Sequence, residues 1–400
     1  MSQMNKHESS EIVVIGGGVI GTAVASFLAR AGREVLLVER GEYAWGSSRR
    51  CDGHVCTYDS PPGYFSQLCK KGQDMFHEIV NVLDYDIEFE PEGLGLLVDN
   101  ENDMETLLET AEGKKNEGVS CTFWDRGELV RNEPNIADHV IACLNFDGDA
   151  KLNPMRLVFG LARNAGQHKA KLFTRTKVTG ITLHNGALDS VETDRGSIKA
   201  EKAVLAAGVW TQEMAAMIGL NVPIRPRQGM VLVTERVKGL IGKNYAEFGY
   251  LAAKGGKQRP NVTPTMEEYG VAAVFEPTAE GTILLGSSRR FVDFDWEPHP
   301  AVIQAMAQRA MYFFPRLAET KLIRTYAGLR PCSPDGKPIV SPTHIGGVYV
   351  AAGHEGNGIG LSLITGKLIT QILTGEEPLI DVAPLSIDRF GLNPPALPTA

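Results

Sequence analysis

The chain has 400 residues, 43% of them hydrophobic and 22% charged, with 43 glycines and a formal net charge of −8. Such a composition belongs to a globular protein with room for two domains, and the negative balance argues against nucleic acid as a partner. The first ten residues, MSQMNKHESS, hold no apolar core, so no secretory signal is expected; the apolar stretch from Val13 to Ala29 is interrupted by glycines and lies between strands, so no transmembrane segment is needed. Six cysteines, at 51, 56, 69, 121, 143 and 332, form no C-x-x-C pair. Scattered in this way they point to thiols in a reducing, cytoplasmic compartment and to no metal centre on this chain.

The stretch Glu11 to Arg40, EIVVIGGGVIGTAVASFLARAGREVLLVER, organises the rest. Ile12 to Ile15 reads as a buried parallel strand, Val19 to Arg30 as a helix closed by Gly32, and Glu34 to Val38 as a second strand. Gly16, Gly18 and Gly21 fall in the spacing G-x-G-x-x-G between strand and helix. Gly16 permits the tight turn, Gly18 leaves room for a pyrophosphate against the backbone, and Gly21 lets the helix approach the sheet. The helix start, with Val19 and Ile20, offers N–H groups and partial positive charge to phosphates. Glu39, about 20 residues on, stands where an acid grips a ribose hydroxyl, with Arg40 beside it. In the loop that follows, Ser47, Ser48 and Arg49 are candidate donors to phosphate oxygens.

Further along, Gly63 to Leu83 reads as a helix and Asp86 to Asp99 as a hairpin turning at Pro91-Glu92-Gly93. Met104 to Gly118 and Arg126 to Glu133 read as helices, with a short strand at Val119 to Phe123 and another at Val140 to Phe146. Asn153 caps a helix that begins at Pro154 and turns Leu157, Val158 and Leu161 to a core. Lys171 to Asp194 alternates across the turn His184-Asn185-Gly186. A strand from Lys202 ends in Ala206-Ala207-Gly208-Val209-Trp210, a second place where backbone can approach a ligand. Pro223 to Pro298 is strand-rich, with a hairpin across Thr278 to Gly281, and Ala301 to Phe314 is a helix. The closing section repeats the opening pattern: a strand at Val348 to Ala352, a glycine-rich turn at Gly353 to Gly360, and a helix from Leu361 to Leu373. Two such turns at opposite ends of the chain suit one long ligand held by both, which favours FAD over NAD.

The segments GGGVIG…VLLVER, AVLAAGVW, AGLRPCSPDGKP and GVYVAAGHEGNGIGLSLITGKLI resemble the FAD-dependent D-amino-acid oxidase superfamily. Its nearest branch is that of glycine oxidase, sarcosine oxidase β subunits and the β subunits of heteromeric proline, hydroxyproline and opine dehydrogenases. The resemblance implies an α/β fold: a Rossmann-like FAD-binding domain of the GR2 type over residues 1–83, 144–222 and 322–400, and an antiparallel β-sheet substrate domain over 84–143 and 223–321. It implies backbone contacts to the cofactor from Val178 and from Ala206, Ala207, Gly208 and Trp210. Gly353, His354, Gly356, Asn357, Gly358 and Ile359 would meet the isoalloxazine, with the last helix aimed at the flavin pyrimidine edge. Cys332 does not stand at the offset of the cysteine that attaches flavin in monomeric sarcosine oxidases, so non-covalent FAD is implied.

By the same resemblance Arg330 aligns with the arginine that grips a substrate carboxylate; a guanidinium matches that group with two parallel hydrogen bonds. The competing role is a structural pair with an acid such as Asp335. The loop Arg50-Cys51-Asp52-Gly53-His54 departs from the small residues of many relatives, and it brings Asp52 and His54 toward the flavin. His54 or His354 is the expected acceptor for an amine proton, His354 being the more usual flavin contact. Tyr245 and Tyr250 are candidate pocket residues, although packing is the commoner role for a tyrosine in such a sheet. The implied reaction oxidises the Cα–N bond of a small amino acid or secondary amino acid by hydride transfer to flavin N5. The implied setting is the catalytic β subunit of a heteromeric dehydrogenase, whose FMN or 2Fe–2S cluster lies at or in a partner subunit. The alternatives are a 2-hydroxy acid dehydrogenase and a stand-alone oxidase.

Overall fold

A computed structural model describes residues 4–249 and 261–391 of the chain. Its first sheet is built on the opening strand, His7–Ile15, which pairs in parallel with Val35–Val38 on one side and Gly196–Leu205 on the other. Val348–Ala352 pairs in parallel with Gly196–Leu205, so Ile15, Val38, Leu205 and Val350 stand side by side in register. Lys171–Phe173 closes one edge and Ile339–Pro342 the other. Successive strand residues point to opposite faces. Ile12, Val14, Leu37 and Val204 therefore pack with Val24 and Leu28 of the Val19–Arg30 helix and with Ile364 and Leu368 of the Ser362–Thr374 helix, whereas Val13, Ile15, Leu36 and Leu205 join a second core on the other face. The expected hairpin within 171–194 forms between Val178–His184 and Ala187–Thr193, and Asn185 and Gly186 turn it at φ of 52° and 76°.

The second sheet has nine strands among the described residues. Its pairs are antiparallel except one: Asn244–Glu247 runs parallel to Leu94–Val98. The hairpin expected over Asp86 to Asp99 does not form. Only Leu94–Val98 is a strand there, wholly buried between Asn244–Glu247 and Ala142–Phe146, while Glu90 bridges to Lys151 instead. The alternation before Pro91 is thus satisfied by a distant partner, which local pattern does not reveal. Leu322–Cys332 pairs with Arg225–Thr234 in this sheet, setting Arg330 opposite Arg227 and Gly328 opposite Gly229. Beyond it, Ile339–Pro342 and Val348–Ala352 pair in the first sheet.

Buried polar groups tie the segment 57–60 in place. Lys114 Nζ, fully buried, donates to Thr57 O at 2.7 Å and to the hydroxyls of Ser60 and Ser66. Asp149 accepts from the Thr57 amide at 2.9 Å, the Thr57 hydroxyl at 2.8 Å and Gln73 Nε2 at 2.7 Å. Buried charges are tolerated where hydrogen bonds satisfy them, and here they hold the loop that becomes a cavity wall.

The first and last helices cross at a point with no spare volume. A Cβ on Gly366 would lie 2.8 Å from Phe27 Cδ2 and 2.9 Å from Ala23 O. Gly366→Ala is expected to cost about 1–3 kcal/mol by overpacking, read as a lower midpoint in chemical denaturation.

Candidate active site

At the carboxyl ends of the parallel strands the chain opens into one cleft of about 1780 Å³, counting the space open to solvent at its mouth. Ligands of open α/β sheets bind at this edge. Ile15, Ala206 and Ala352 line the cleft together, so the opening turn, the Ala206-Ala207-Gly208 turn and the closing glycine turn all face it. Gly16 holds φ at 123°, and a Cβ there would overlap the Ala206 carbonyl oxygen. Gly18 differs: a Cβ there would meet only Ser48 Oγ, at 3.3 Å, and otherwise occupy the cleft. Ser48 Oγ accepts from the Val19 amide at 3.1 Å, and the Ser47 hydroxyl donates to Leu329 O. Glu39 lines the cleft while accepting from the amides of Gly17 and Gly41, each at 2.7 Å.

Aromatic and guanidinium groups stack along one side of the mouth. Arg40 lies 3.9 Å over the Trp210 ring, Trp210 stacks on Phe294 at 5.8 Å and Trp296 at 5.9 Å, and Arg50 sits 4.7 Å over Trp296. Cation–π and stacking contacts of this kind each contribute about 0.5–1.5 kcal/mol.

Deeper in, Arg330 lines the cleft with Nη1 donating to Ser288 O at 2.9 Å and Nε 4.0 Å from Glu355 Oε1. Glu355 also pairs with Arg227. Asp335, the acid that competed for Arg330, is bound instead by Arg389, at 3.0 and 3.1 Å. A Cβ on Gly229 would overlap the Arg330 guanidinium, so the absence of a side chain at 229 is what lets Arg330 lie across that strand. His354 is 2% exposed; its Nε2 shares a hydrogen bond with Thr365 Oγ1 at 2.9 Å, while Nδ1 is buried without a partner. Burial alone pushes its pKa down to about 3, so the ring is neutral.

The wall is completed by the loop that carries Cys51, Asp52, His54, Cys56, Tyr58 and Asp59. Asn357 Nδ2 donates to Asp59 Oδ1 at 3.5 Å, joining this loop to the closing turn. His54 Nε2 lies 3.2 Å from Glu276 Oε2.

Most sequence candidates meet in this cleft: Gly16, Gly18, Val19, Ile20, Glu39, Arg40, Ser47, Ser48, Asp52, His54, Val178, Ala206, Ala207, Gly208, Trp210, Arg330, His354, Gly356, Asn357, Gly358 and Ile359. Four of the described candidates do not line it. Gly21 packs the helix start against the Gly16 carbonyl, Arg49 stacks 3.8 Å over Trp45, and Gly353, at φ 81°, faces Ser333. Tyr250 lies outside the described residues, and Tyr245 is fully buried in the core of the second sheet. Sequence reasoning passed over Asp59, Gly229, Glu276 and Glu355. An acid within an otherwise apolar strand, as Glu276 is in VAAVFEP, was the available signal for one of them.

Two glycine turns at one edge of a parallel sheet, on either side of the Gly196–Leu205 strand, and a long cleft between two sheets define a nucleotide-dependent enzyme of the two-sheet flavoprotein type. A family model described as FAD dependent oxidoreductase (DAO) matches residues 11–372, and the chain belongs to that family. It is 27% identical to hydrogen cyanide synthase subunit HcnC of Pseudomonas aeruginosa, with 98% of each chain covered. It is 28% identical to glycine oxidase of the same species, over 94% of this chain and 98% of that one. Among solved structures, glycine oxidase from Geobacillus kaustophilus superposes with a TM-score of 0.84 at 24% identity, over 96% of this chain and 99% of that one. L-Proline dehydrogenase from P. horikoshii gives 0.85, also at 24%, over 96% and 98%. The protein is an FAD-dependent oxidoreductase. Its residues fit the cofactor: Gly18 leaves a cradle that a Cβ would fill, and the buried Nδ1 of His354 is an unsatisfied polar atom in the wall.

Because the space above Gly18 is cleft and not protein, Gly18→Val should fold with a thermal midpoint near that of the wild-type apoprotein yet purify without flavin absorbance.

Proposed function

We propose that this enzyme oxidises the Cα–N bond of a small amino acid or secondary amino acid. The observation that carries the reading is Arg330, a guanidinium in the cleft wall that lies across the bare backbone of Gly229, while Asp335 pairs with Arg389. Its relatives include enzymes named glycine oxidase, which supports an amino acid as substrate.

FAD, when bound, supplies the acceptor for the two electrons and hydride. Gly16, Gly18 and the Val19–Arg30 helix start would hold its pyrophosphate, Glu39 its ribose, Val178, Ala206, Ala207, Gly208 and Trp210 its adenosine side, and His354 to Ile359 its ring system. Cys332 is buried and does not line the cleft, which favours non-covalent attachment. Arg330 anchors the substrate carboxylate and so fixes the α-carbon; restricting a reactant this way accounts for a large part of a rate enhancement. Glu355, between Arg227 and Arg330, holds both guanidinium groups in place. His354, neutral and fixed by Thr365, serves as a hydrogen-bonding wall and not as a base. The Arg40–Trp210–Trp296–Arg50 stack narrows the mouth against water.

We place the chain as the catalytic subunit of a heteromeric dehydrogenase, on its likeness to HcnC, which is named a subunit. Any FMN or 2Fe–2S centre would then belong to the partner or the boundary with it. Six thiols and no disulfide favour a reducing, cytoplasmic setting. No helix among the described residues is long and apolar enough to cross a membrane.

An anaerobic screen that follows flavin bleaching should respond to glycine, sarcosine, D-proline, hydroxyproline or an opine; bleaching by 2-hydroxy acids alone would replace the amine reading. Arg330→Ala should raise KM roughly 10–100-fold, the worth of a charge-assisted hydrogen-bond pair, with flavin content unchanged. Unaltered kinetics would remove the carboxylate anchor.

A further inference from the structure

The loop Asp52-Gly53-His54 separates two cavities. Asp52 and His54 line the main cleft; Glu276, directly behind them, lines a second cavity of about 680 Å³. Ser48 and Cys51 line both, so the wall between them is one side chain thick there. A ring nitrogen of His54 and one carboxylate oxygen each of Asp52 and Glu276 lie within 4.8 Å of one another. Glu276 Oε2 accepts from the Gly53 amide at 2.8 Å and stands 3.2 Å from His54 Nε2, which makes no hydrogen bond and is buried.

The loop is held rigidly. His54 pairs with Lys151 in a short antiparallel ladder, the Leu152 amide donates to Gly53 O at 3.0 Å, and a Cβ on Gly53 would overlap the Leu152 carbonyl oxygen. Lys151 in turn bonds Glu90 at 2.9 Å, and both residues line the second cavity. The charged groups that face the pair are therefore Asp52 and Asp59 from the loop, Lys151 from the paired strand, and Glu90 beyond it.

We infer that Asp52, His54 and Glu276 form a proton relay through this wall: Asp52 receives the substrate's ammonium group, His54 takes its proton, and Glu276 releases it to solvent in the second cavity. The inference rests on the amino-acid reading above. One N–H bond of the ammonium breaks and its electron pair stays on nitrogen. The proton bonds to a His54 ring nitrogen, moves to the Glu276 carboxylate, and leaves to water. The two electrons later lost by the α-carbon go to the FAD of this family.

Physical chemistry supports the direction. An amino acid arrives as an ammonium, which holds no lone pair, so a proton must leave before the Cα–N bond can be oxidised. A solvent-facing exit spares that proton a passage along the cofactor channel. Burial pushes Glu276 well above the usual carboxylate range, and Asp52 adds to the rise. Burial draws His54 downward, opposed by Asp52 and Asp59 and assisted by Lys151. The two proton affinities thus move toward each other, as an exchanging pair requires. His354 offers no such partner, since burial is the one cause of its shift. Glu276 acts through His54 and is a positioning residue.

The test uses the holoenzyme with the amino acid that bleaches it fastest. The limiting anaerobic bleaching rate of the wild type should fall at low pH, where the pair keeps its proton, and rise to a plateau as that proton is lost. Glu276→Gln should move this acid limb to lower pH, because His54 loses the carboxylate that shares its proton. His54→Asn should lower the limiting rate about 10²–10⁴-fold, the range of general-base contributions, with flavin content unchanged. Nuclear magnetic resonance titration of the His54 ring, assigned from the His54→Asn spectrum, should shift between wild type and Glu276→Gln. An unchanged limb and rate in both variants, or a His54 titration indifferent to Glu276, overturns the relay. Absence of bleaching by any amine overturns the amino-acid reading instead, and the titration still decides whether the pair shares a proton.

Discussion

Parallel pairing in one register is the constraint on which the site depends. His7–Ile15, Gly196–Leu205 and Val348–Ala352 run the same way, with Ile15 beside Leu205 and Leu205 beside Val350. Residues from the start, the middle and the far end of the chain consequently stop at one edge, and each stop is followed by a glycine-containing turn that faces the cleft. Apolar burial on both faces fixes that register, since a slip of one residue would turn Val13 and Ile15 toward the wrong core. The cleft is therefore a product of the sheet, and the cofactor adds to a cavity that the strands have already shaped.

The second sheet supplies what the first does not, a cation and a set of acids at fixed positions. Arg330 and Arg227 come from neighbouring strands and share Glu355, which the closing turn of the first sheet provides. His54 and Glu276 meet in the same manner, one from the loop after the first turn and the other from the second sheet. Each of these contacts ties a segment outside the second sheet to a strand within it. Charge pairing in a poorly solvated wall thus aligns the two halves as well as the substrate, because moving either sheet would strand a buried charge.

Local features of the sequence carried the cofactor half of this arrangement. The spacing of Gly16, Gly18 and Gly21, the position of Glu39, and the repeat of strand, glycine turn and helix at Val348 to Leu373 are short-range patterns with a mechanical reading. The other half depends on contacts between residues far apart in the chain. The acid beside Arg330 is Glu355, not Asp335, since only the strand pairing determines which acid arrives there. The supposed hairpin before Asp99 failed for the same reason: Glu90 is matched by Lys151, some sixty residues on, and alternation does not name a partner. Glu276 was visible as an acid in an apolar strand, yet its role needed the position of His54.

The most direct measurement of the central claim is a crystal structure of the protein with its cofactor and a small unreactive carboxylic acid. The account predicts the isoalloxazine beside His354 to Ile359, the pyrophosphate over Gly18, and the carboxylate of the acid paired with Arg330. A cleft without FAD, or an acid bound away from Arg330 with that guanidinium turned elsewhere, would contradict it.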